Sequence, residues 1–173
     1  MTVPPIVTAT PRLDIRVWDE AELPDLHAIV SDPVTMRAWP EPFHLVRTQR
    51  WMIGRREEFE ERGTGRWALV RRDDGAFIGD AGLVPATVAG RSILDLGYIV
   101  HHPYWRQGYG FEAASALVRY AFETLDAPAV HAHMALDNTA SWTLAEKLGM
   151  RAVGEFPHEG DRGKMHRLYE LRR

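Results

Sequence analysis

The chain has 173 residues, of which 45% are hydrophobic and 26% charged, a mixture typical of one soluble globular domain. Its net charge of −3 argues against a general nucleic-acid surface, and no apolar run reaches the ~18 residues of a membrane span. Cysteine is absent, which excludes disulfides, thiolate metal ligands and a cysteine nucleophile.

The N-terminal half predicts a tail, a strand and two helices. Residues 1–11 contain three prolines and little periodicity, so we expect a flexible tail before a single domain spanning residues 12–173. Alternating apolar and polar side chains at 13–18 predict a half-buried strand, and the acids that follow begin a helix ending near Val30. A second helix is predicted over 48–62.

The second half alternates strands and helices. An Asp-Asp-Gly turn predicts a hairpin, and Asn138 is placed to cap a late helix. The elements predicted after the second helix are strands at 66–71, 76–84, 92–100, 130–136, 153–156 and 165–171, and helices at 111–125 and 139–148. This order predicts an α/β (α+β) fold, a mixed sheet with helices on its faces. We expect 165–171 to be an edge strand that could pair across a dimer.

Residues 105–113 read Trp-Arg-Gln-Gly-Tyr-Gly-Phe-Glu-Ala and lie between a predicted strand and a predicted helix. The first amide N–H groups of a helix have no intrahelical partner, and the helix dipole adds partial positive charge there. Glycine also lets backbone approach a phosphate without an intervening Cβ. We therefore predict a pyrophosphate-bearing ligand beside residues 107–111, although a plain strand-to-helix loop would show the same pattern.

Two other glycine motifs fit this loop poorly. Gly108 and Gly110, followed by Ala113, match the dinucleotide-binding fingerprint, but only about a third of the chain remains after them and supplies too few strands. The acid expected about twenty residues further on, Asp126, falls at a helix end instead of a strand tip. The P-loop is excluded because no Gly-Lys-Ser/Thr follows.

Three segments together resemble the GNAT superfamily of N-acetyltransferases. Residues 96–100 followed by 103–113 are similar to the acetyl-CoA loop of that family. Residues 137–150, with an Asn-x-x-Ser start and a Glu-Lys-Leu-Gly-Met end, are similar to its second hallmark. The opening 13–18 resembles the first strand of the branch that contains ribosomal-protein N-terminal alanine and serine acetyltransferases. The resemblance covers nearly the whole predicted domain.

The resemblance implies a single GNAT domain with a mixed, mostly antiparallel sheet of roughly six to seven strands flanked by about four helices. It also implies that the strand before the loop and the strand after the helix splay apart to form a cleft for coenzyme A. The residues that would bind acetyl-CoA are Ile99, Val100, Arg106, Gln107, Gly108, Tyr109, Gly110, Phe111, Asn138 and Ser141. The loop amides would hold the pyrophosphate, and Asn138 would contact the pantetheine arm.

The implied reaction is direct attack of a primary amine on the acetyl thioester, without a covalent enzyme intermediate. Many relatives carry a tyrosine acid where this chain has Ala145. Ser141, one helical turn earlier, is the nearest hydroxyl that could stabilise the departing sulfur, or it could satisfy local helix backbone. Asp95, on the strand before the loop, is the candidate general base if desolvation raises its pKa, and otherwise an ordinary solvated carboxylate.

The histidines suggest two further hypotheses. His101 and His102 follow the strand, and either could take a proton through water. His131 and His133 share one strand face with a spacing that permits a metal pair, but no third ligand is evident. We therefore expect no metal.

The acceptor is expected to contact the early part of the domain. Trp39, Phe43 and His44 are the candidate substrate residues, with Trp51, Phe59 and Trp67 as nearby candidates. Aromatic walls with an acid such as Glu41 would suit a cation. Core packing is the alternative role for each aromatic side chain.

The expected partner is a small-molecule amine or a peptide N-terminus, with no nucleic acid and no membrane, for a monomer or homodimer. No basic segment followed by an apolar stretch opens the chain, so we expect a cytoplasmic location. The alternative from another class is a catalytically inactive acyl-CoA-binding or sensing domain of the same fold. A further alternative is a related enzyme that uses a longer acyl-CoA.

Overall fold

A computed structural model describes residues 4–173, which contain one eight-stranded sheet. The strands are β1 Ile6–Ala9, β2 Leu13–Arg16, β3 Gly65–Arg71, β4 Phe77–Val88, β5 Arg91–Val100, β6 Ala129–Ala135, β7 Arg151–His158 and β8 Lys164–Arg172. They lie in the order β1-β2-β3-β4-β5-β6-β8-β7, and β5 and β6 form the parallel pair among antiparallel neighbours. The predicted mixed, mostly antiparallel sheet is confirmed, although it has more strands than expected.

Five α-helices occur in the same described range: α1 Leu23–Val30, α2 Leu45–Met52, α3 Arg55–Arg62, α4 Tyr109–Glu123 and α5 Thr139–Lys147. Single turns of 3-10 helix lie at Glu20–Glu22, His102–Tyr104 and Glu159–Asp161. The single helix predicted over 48–62 is wrong, because the chain breaks at Ile53 and Gly54, where Gly54 has a φ of +76°. None of these helices is long and apolar enough to cross a membrane.

The first strand corrects the expected N-terminal tail. Ile6–Ala9 pairs antiparallel with β2, so the prediction of a flexible segment is wrong for these residues. The β-branched side chains that dominate this stretch favour a strand, and the flanking prolines lie outside it. Residues 1–3 of the predicted tail lie outside the described part of the chain.

The C-terminal strand is interior instead of being at an edge. β8 pairs with β6 on one side and with β7 on the other, so the prediction that 165–171 forms an edge strand is wrong. The sheet ends at β1 and β7, and the register of β7 shifts between Ala152 and Gly154. Such irregularities protect an exposed edge from pairing with another chain.

Successive residues of β3 point to opposite faces of the sheet and divide the core in two. Trp67 and Leu69 pack with α4 on one face, whereas Ala68 and Val70 pack with α1 and α2 on the other. On the α4 face, small and aliphatic side chains let the helix lie close to the sheet: Ala113, Ala114, Leu117 and Ala121. Helices therefore cover both faces, as the element order predicted.

Arg66 on β3 and Asp80 on β4 form an ion pair within the buried interior. Arg66 Nε donates to Asp80 Oδ1 at 2.6 Å, and the Asp80 side chain is fully buried. The indole N–H groups of Trp18 and Trp51 donate to the same carboxylate at 3.1 and 3.4 Å. Gly97 makes room for the guanidinium, because a Cβ there would overlap Arg66 Nη1. The buried carboxylate is thus satisfied on both oxygens.

Replacing Asp80 by asparagine should destabilise the fold by about 3–5 kcal/mol, because it leaves the Arg66 guanidinium buried without a counter-charge. Denaturant unfolding followed by tryptophan fluorescence measures the free energy of unfolding. The exposed Arg56–Glu60 pair supplies a control, since Glu60→Gln should change stability by less than about 1 kcal/mol. An equally small loss in Asp80→Asn would contradict a stabilising role for the buried pair.

Candidate active site

The glycine loop connects the end of β5 to the start of α4. Arg106 and Gly108 adopt left-handed backbone conformations, with φ of +61° and +84°, and α4 begins at Tyr109. The first amide N–H groups of α4 have no preceding helical carbonyl to donate to, so they are available to an anion. Glycine takes this conformation without steric cost, whereas Arg106 must be held in it by its surroundings.

Glu112, in the first turn of α4, ties this loop to the N-terminal strands. Its carboxylate accepts from the Thr10 hydroxyl at 2.5 Å and from Arg12 Nε at 2.6 Å. Burial raises the pKa of Glu112, but the hydrogen bonds from Thr10 and Arg12 outweigh that effect and hold the pKa below its usual value. Arg12 also donates to the Gln107 carbonyl at 3.0 Å, so the carboxylate positions the loop through Arg12.

A cleft of about 580 Å³ opens beside the loop. The predicted cofactor residues that line it are Ile99, Val100, Arg106, Gly108, Tyr109, Gly110, Phe111, Asn138 and Ser141. The Gln107 side chain turns elsewhere, because its amide donates to the Pro103 carbonyl at 3.1 Å. Three cationic side chains stand in the wall of the cleft: Arg37, Arg106 and Lys147. The wall therefore suits a ligand with several negative charges.

The cleft exists because β5 and β6 separate. Within residues 4–173 these parallel strands pair at a single position, Asp95 opposite His131. Beyond that position the strands diverge, and their backbone groups face a gap that another extended chain can fill. This is the splayed arrangement that the resemblance implied.

A second cavity, of about 410 Å³, adjoins the first. The side chains that belong to both walls are Ala38, Trp39, Tyr98, Asn138 and Ser141. Two molecules bound in the two cavities would therefore meet at this junction.

The junction contains Tyr98, which the sequence did not indicate. Its hydroxyl donates to the Ser141 carbonyl at 3.2 Å, and burial raises the pKa of Tyr98 to about 12 against the effect of that hydrogen bond. Asn138 caps α5 as predicted, accepting from the Ser141 N–H at 3.4 Å. A protonated phenol thus contacts α5 at Ser141, one helical turn before Ala145. The signal that could have found it is a tyrosine in the apolar strand that precedes the loop.

Asp95 lines the second cavity at the point where β5 leaves β6. Burial raises the pKa of its carboxyl to about 7, and Arg66 partly opposes that rise. Its Oδ1 is buried with no hydrogen-bond partner among the described residues, and its Oδ2 lies 3.8 Å from His133 Nε2. The Asp95 carboxyl is therefore largely removed from solvent, and a pKa near neutral pH suits a general base, a role that stays a prediction.

Of the three predicted substrate residues, Trp39 lies on a cavity wall and the other two do not. Phe43 is 1% exposed and packs edge-on against Trp39 and Trp51, with ring centres 5.4 and 5.3 Å apart. His44 is exposed and caps α2, where its Nδ1 accepts from the Arg47 N–H at 3.3 Å. Phe43 thus supports the two tryptophans of the wall from within the core, and direct substrate contact by Phe43 or His44 stays a prediction.

The charged groups of the second cavity also differ from expectation. Glu41 is exposed, outside the wall, and lies 3.9 Å from Arg47. The carboxylates of the wall are Asp95 and Asp161, and its arginines are Arg47, Arg55 and Arg66. Arg55 pairs with Glu58 at 2.7 Å, and Arg66 pairs with Asp80, so Arg47 is the least neutralised cation.

Three histidines from three strands line the second cavity: His133 on β6, His158 on β7 and His166 on β8. One ring nitrogen of each lies within 4.8 Å of the others, a separation that a metal ion could bridge. His131 instead contacts Glu170 at 3.1 Å, so the pair considered from the sequence does not form. The sequence hid this cluster because its members are far apart along the chain and meet only through the order β6-β8-β7.

His101 and His102 reach neither cavity. His102 Nδ1 lies 2.8 Å from Asp32 Oδ2, and the two histidine rings pack edge-on at 5.3 Å. These two with Asp32 form a second group of side chains spaced for a metal ion. A role for either histidine in taking up a proton through water stays a prediction.

The architecture is shared with known proteins. The family model for an acetyltransferase (GNAT) domain matches residues 12–151. The uncharacterised protein YkkB of Bacillus subtilis is 26% identical over 142 residues, which are 82% of this chain and 83% of YkkB.

Solved structures show the same fold. An acetyltransferase from Agrobacterium tumefaciens superposes with a TM-score of 0.82 at 22% identity, covering 100% of this chain and 97% of that one. RimL, a ribosomal-protein alpha-N-acetyltransferase in complex with coenzyme A, gives 0.76 at 17% identity, covering 97% of this chain and 98% of that one. These likenesses show the fold, and the domain match over most of the sequence shows that the chain belongs to the GNAT family of acetyltransferases.

Proposed function

We propose that this acyl-CoA-dependent enzyme transfers an acetyl group from acetyl-CoA to a primary amine within a ternary complex. The observation that carries the proposal is the meeting of two cavities at Tyr98, Asn138 and Ser141. One cavity has a loop suited to a pyrophosphate, and the other has Asp95, whose pKa is raised to about 7. Two substrates oriented in adjoining cavities can react without a covalent enzyme intermediate.

The larger cleft suits acetyl-CoA because its wall is positively charged and its loop offers backbone N–H donors. The free amide N–H groups at the start of α4 would hold the pyrophosphate, with the three cations of the wall near the phosphates. The pantetheine arm would lie in the gap between β5 and β6, against Ile99 and Val100, and would contact Asn138. That placement puts the thioester at the junction of the cavities.

Asp95 is the proposed general base. The acceptor arrives as an ammonium ion, Asp95 takes one of its protons, and the nitrogen attacks the thioester carbonyl carbon. The C–N bond forms, the C–S bond breaks, and coenzyme A leaves as a thiolate next to the Ser141 hydroxyl. Tyr98 gives its proton to the thiolate and regains one from the nitrogen. One proton per turnover then remains on Asp95 for release.

The acceptor is a primary amine of a peptide N-terminus or of a small molecule. Trp39 and Trp51 offer aromatic faces to a cation, and the carboxylates of the wall attract an ammonium group. Arg47 offers a partner for an anionic group on the same acceptor. RimL, which shares the fold, acts on a ribosomal protein, and this supports a peptide N-terminus as one acceptor class.

The alternative is a catalytically inactive acyl-CoA-binding domain of the same fold. A sensor needs the cofactor cleft, but it does not need a second cavity with a desolvated carboxylate. Release of free thiol from acetyl-CoA, measured across a panel of amines, decides between the two functions. Binding of acetyl-CoA without thiol release on any amine would favour the sensor.

Gly108→Val should weaken acetyl-CoA binding by about tenfold or more, because valine disfavours a φ of +84° and covers the surface that a phosphate must approach. Titration calorimetry measures the Kd. Gly90→Val is the matched control, since Gly90 has a φ of +74° in the β4–β5 turn with open space around it. Both variants should lose similar stability, and an equal loss of affinity in both would contradict the role of the loop.

The rate at saturating acetyl-CoA should rise with pH through about 7, because below that value Asp95 is protonated and cannot act as a base. Arg66 and His133 are the ionisable groups nearest to its carboxyl. Asp95→Asn should lower kcat by about a hundredfold or more and remove the inflection, while the acetyl-CoA Kd changes little. An inflection that persists in Asp95→Asn would belong to another group, such as the acceptor amine.

Asp95→Asn should also stabilise the fold at alkaline pH. A carboxyl whose pKa rises from 3.8 to about 7 on folding binds its proton more tightly when folded, so stability falls as pH rises across that interval. Asparagine does not ionise and so avoids this penalty, which is at most roughly 4 kcal/mol at pH values above the folded pKa. Thermal unfolding should show a larger gain for the variant at about pH 8 than at about pH 4. If the variant and the wild-type protein differ in thermal stability by the same amount at both pH values, Asp95 ionises in the folded protein without penalty.

A further inference from the structure

A row of acid–base side chains leads away from Asp95 along the wall of the second cavity. His133 Nε2 lies 3.8 Å from Asp95 Oδ2. His133 Nδ1 lies 3.1 Å from His166 Nδ1, and His166 Nε2 lies 3.0 Å from Oδ2 of Asp161 in the β7–β8 turn. Side chains from β5, β6, β8 and this turn thus stand in line, and the acetyl-transfer steps above use only the first.

Both ring nitrogens of each histidine in the row face a neighbouring member. An imidazole can accept a proton at one nitrogen and release one from the other, which suits it to proton transfer near neutral pH. His131, on the same strand, contacts Glu170 through Nε2, and its buried Nδ1 has no partner within the described chain. The alignment is therefore specific to His133 and His166.

We propose that His133 and His166 form a relay that carries the proton taken up by Asp95 to Asp161. The inference rests on the proposed acetyl transfer, which leaves one proton on Asp95 in each turnover. Asp95 gives that proton to His133 Nε2, and the proton on His133 Nδ1 passes to His166 Nδ1. The proton on His166 Nε2 then passes to the Asp161 carboxylate and from there to water.

The relay restores the base for the next cycle. Asp95 becomes a carboxylate again, and Asp161 loses the proton to solvent, so charge and protons balance. Each ring ends in the opposite tautomer, and exchange with solvent water returns both rings to their starting tautomers. A slow relay would leave Asp95 protonated and would limit kcat without weakening acetyl-CoA binding.

The surroundings suit His133 to passing a proton on. Burial, together with the neighbouring His158 and His166, lowers the pKa of His133 to about 4, so the ring stays neutral and releases one proton as it accepts another. His158 stacks on both relay rings, at 4.9 Å from His133 and 4.5 Å from His166, and restricts their rotation. The 3.8 Å between Asp95 Oδ2 and His133 Nε2 exceeds a hydrogen bond, so proton transfer requires the two side chains to approach by about 1 Å.

Glutamine at either relay position keeps hydrogen-bonding groups but cannot pass a proton. His133→Gln and His166→Gln should each lower kcat by about tenfold to a hundredfold, with the KM for acetyl-CoA within about twofold. Imidazole added as buffer should restore the rate in proportion to its concentration, because it carries the proton from Asp95 directly. His131→Gln is the matched control, and neither it nor the wild-type protein should respond to imidazole.

The Asp161→Asn variant tests the relay in the resting protein, in the absence of turnover. In the relay, Asp161 sets the tautomer of His166, and His166 sets that of His133. Nitrogen-15 NMR of the imidazole rings should therefore show that both tautomer populations change in this variant. A His133 tautomer that is indifferent to Asp161→Asn would overturn the relay.

The activity measurements separate the relay from the function on which it rests. An unchanged kcat in His166→Gln, or a loss that imidazole does not restore, would overturn the relay and leave acetyl transfer intact. One equivalent of bound zinc that turnover requires would also overturn it, because metal-bound ring nitrogens cannot carry protons. Absence of thiol release by the wild-type protein on every amine would overturn the proposed function, and the relay with it.

Discussion

The separation of β5 from β6 is the constraint on which the site depends. The strands pair where Asp95 meets His131 and then diverge, and α4 crosses between them with its N-terminus following the carboxyl end of β5. This divergence leaves strand backbone facing the larger cleft, and Asp95 lies in the wall of the second cavity. The proposed sites of cofactor binding and proton abstraction therefore share a structural origin.

The sequence was sufficient where the physical signal is local. Side-chain alternation identified most of the strands, and the Asp-Asp-Gly turn identified the hairpin of β3 and β4. Gly108 marked the start of α4 and the loop proposed to bind an anion, because left-handed backbone at a helix start is a property of a few neighbouring residues. Asp95 could be selected as a candidate base from its place in the strand, and burial in the fold supplied the raised pKa that this role needs.

Sequence reasoning failed where the outcome depends on contacts between distant segments. Phe43 has the same apolar character as a wall residue, and only the packing of α1 and α2 shows that it supports Trp39 from within the core. The strand order β6-β8-β7 brings His133 and His166 into contact, and no spacing along the chain reveals that order. The short β1 was missed because its stability comes from pairing with β2 and not from periodicity.

The Arg66–Asp80 pair connects the stability of the sheet to the ionisation of Asp95. Arg66 opposes the rise in the pKa of Asp95, so one guanidinium serves both the interior and the neighbouring site. Replacing either partner alone leaves the other as a buried charge without its counter-ion, at a cost of about 3–5 kcal/mol. Replacement of Arg66 is therefore expected to change two quantities at once, the stability of the sheet and the pKa of Asp95.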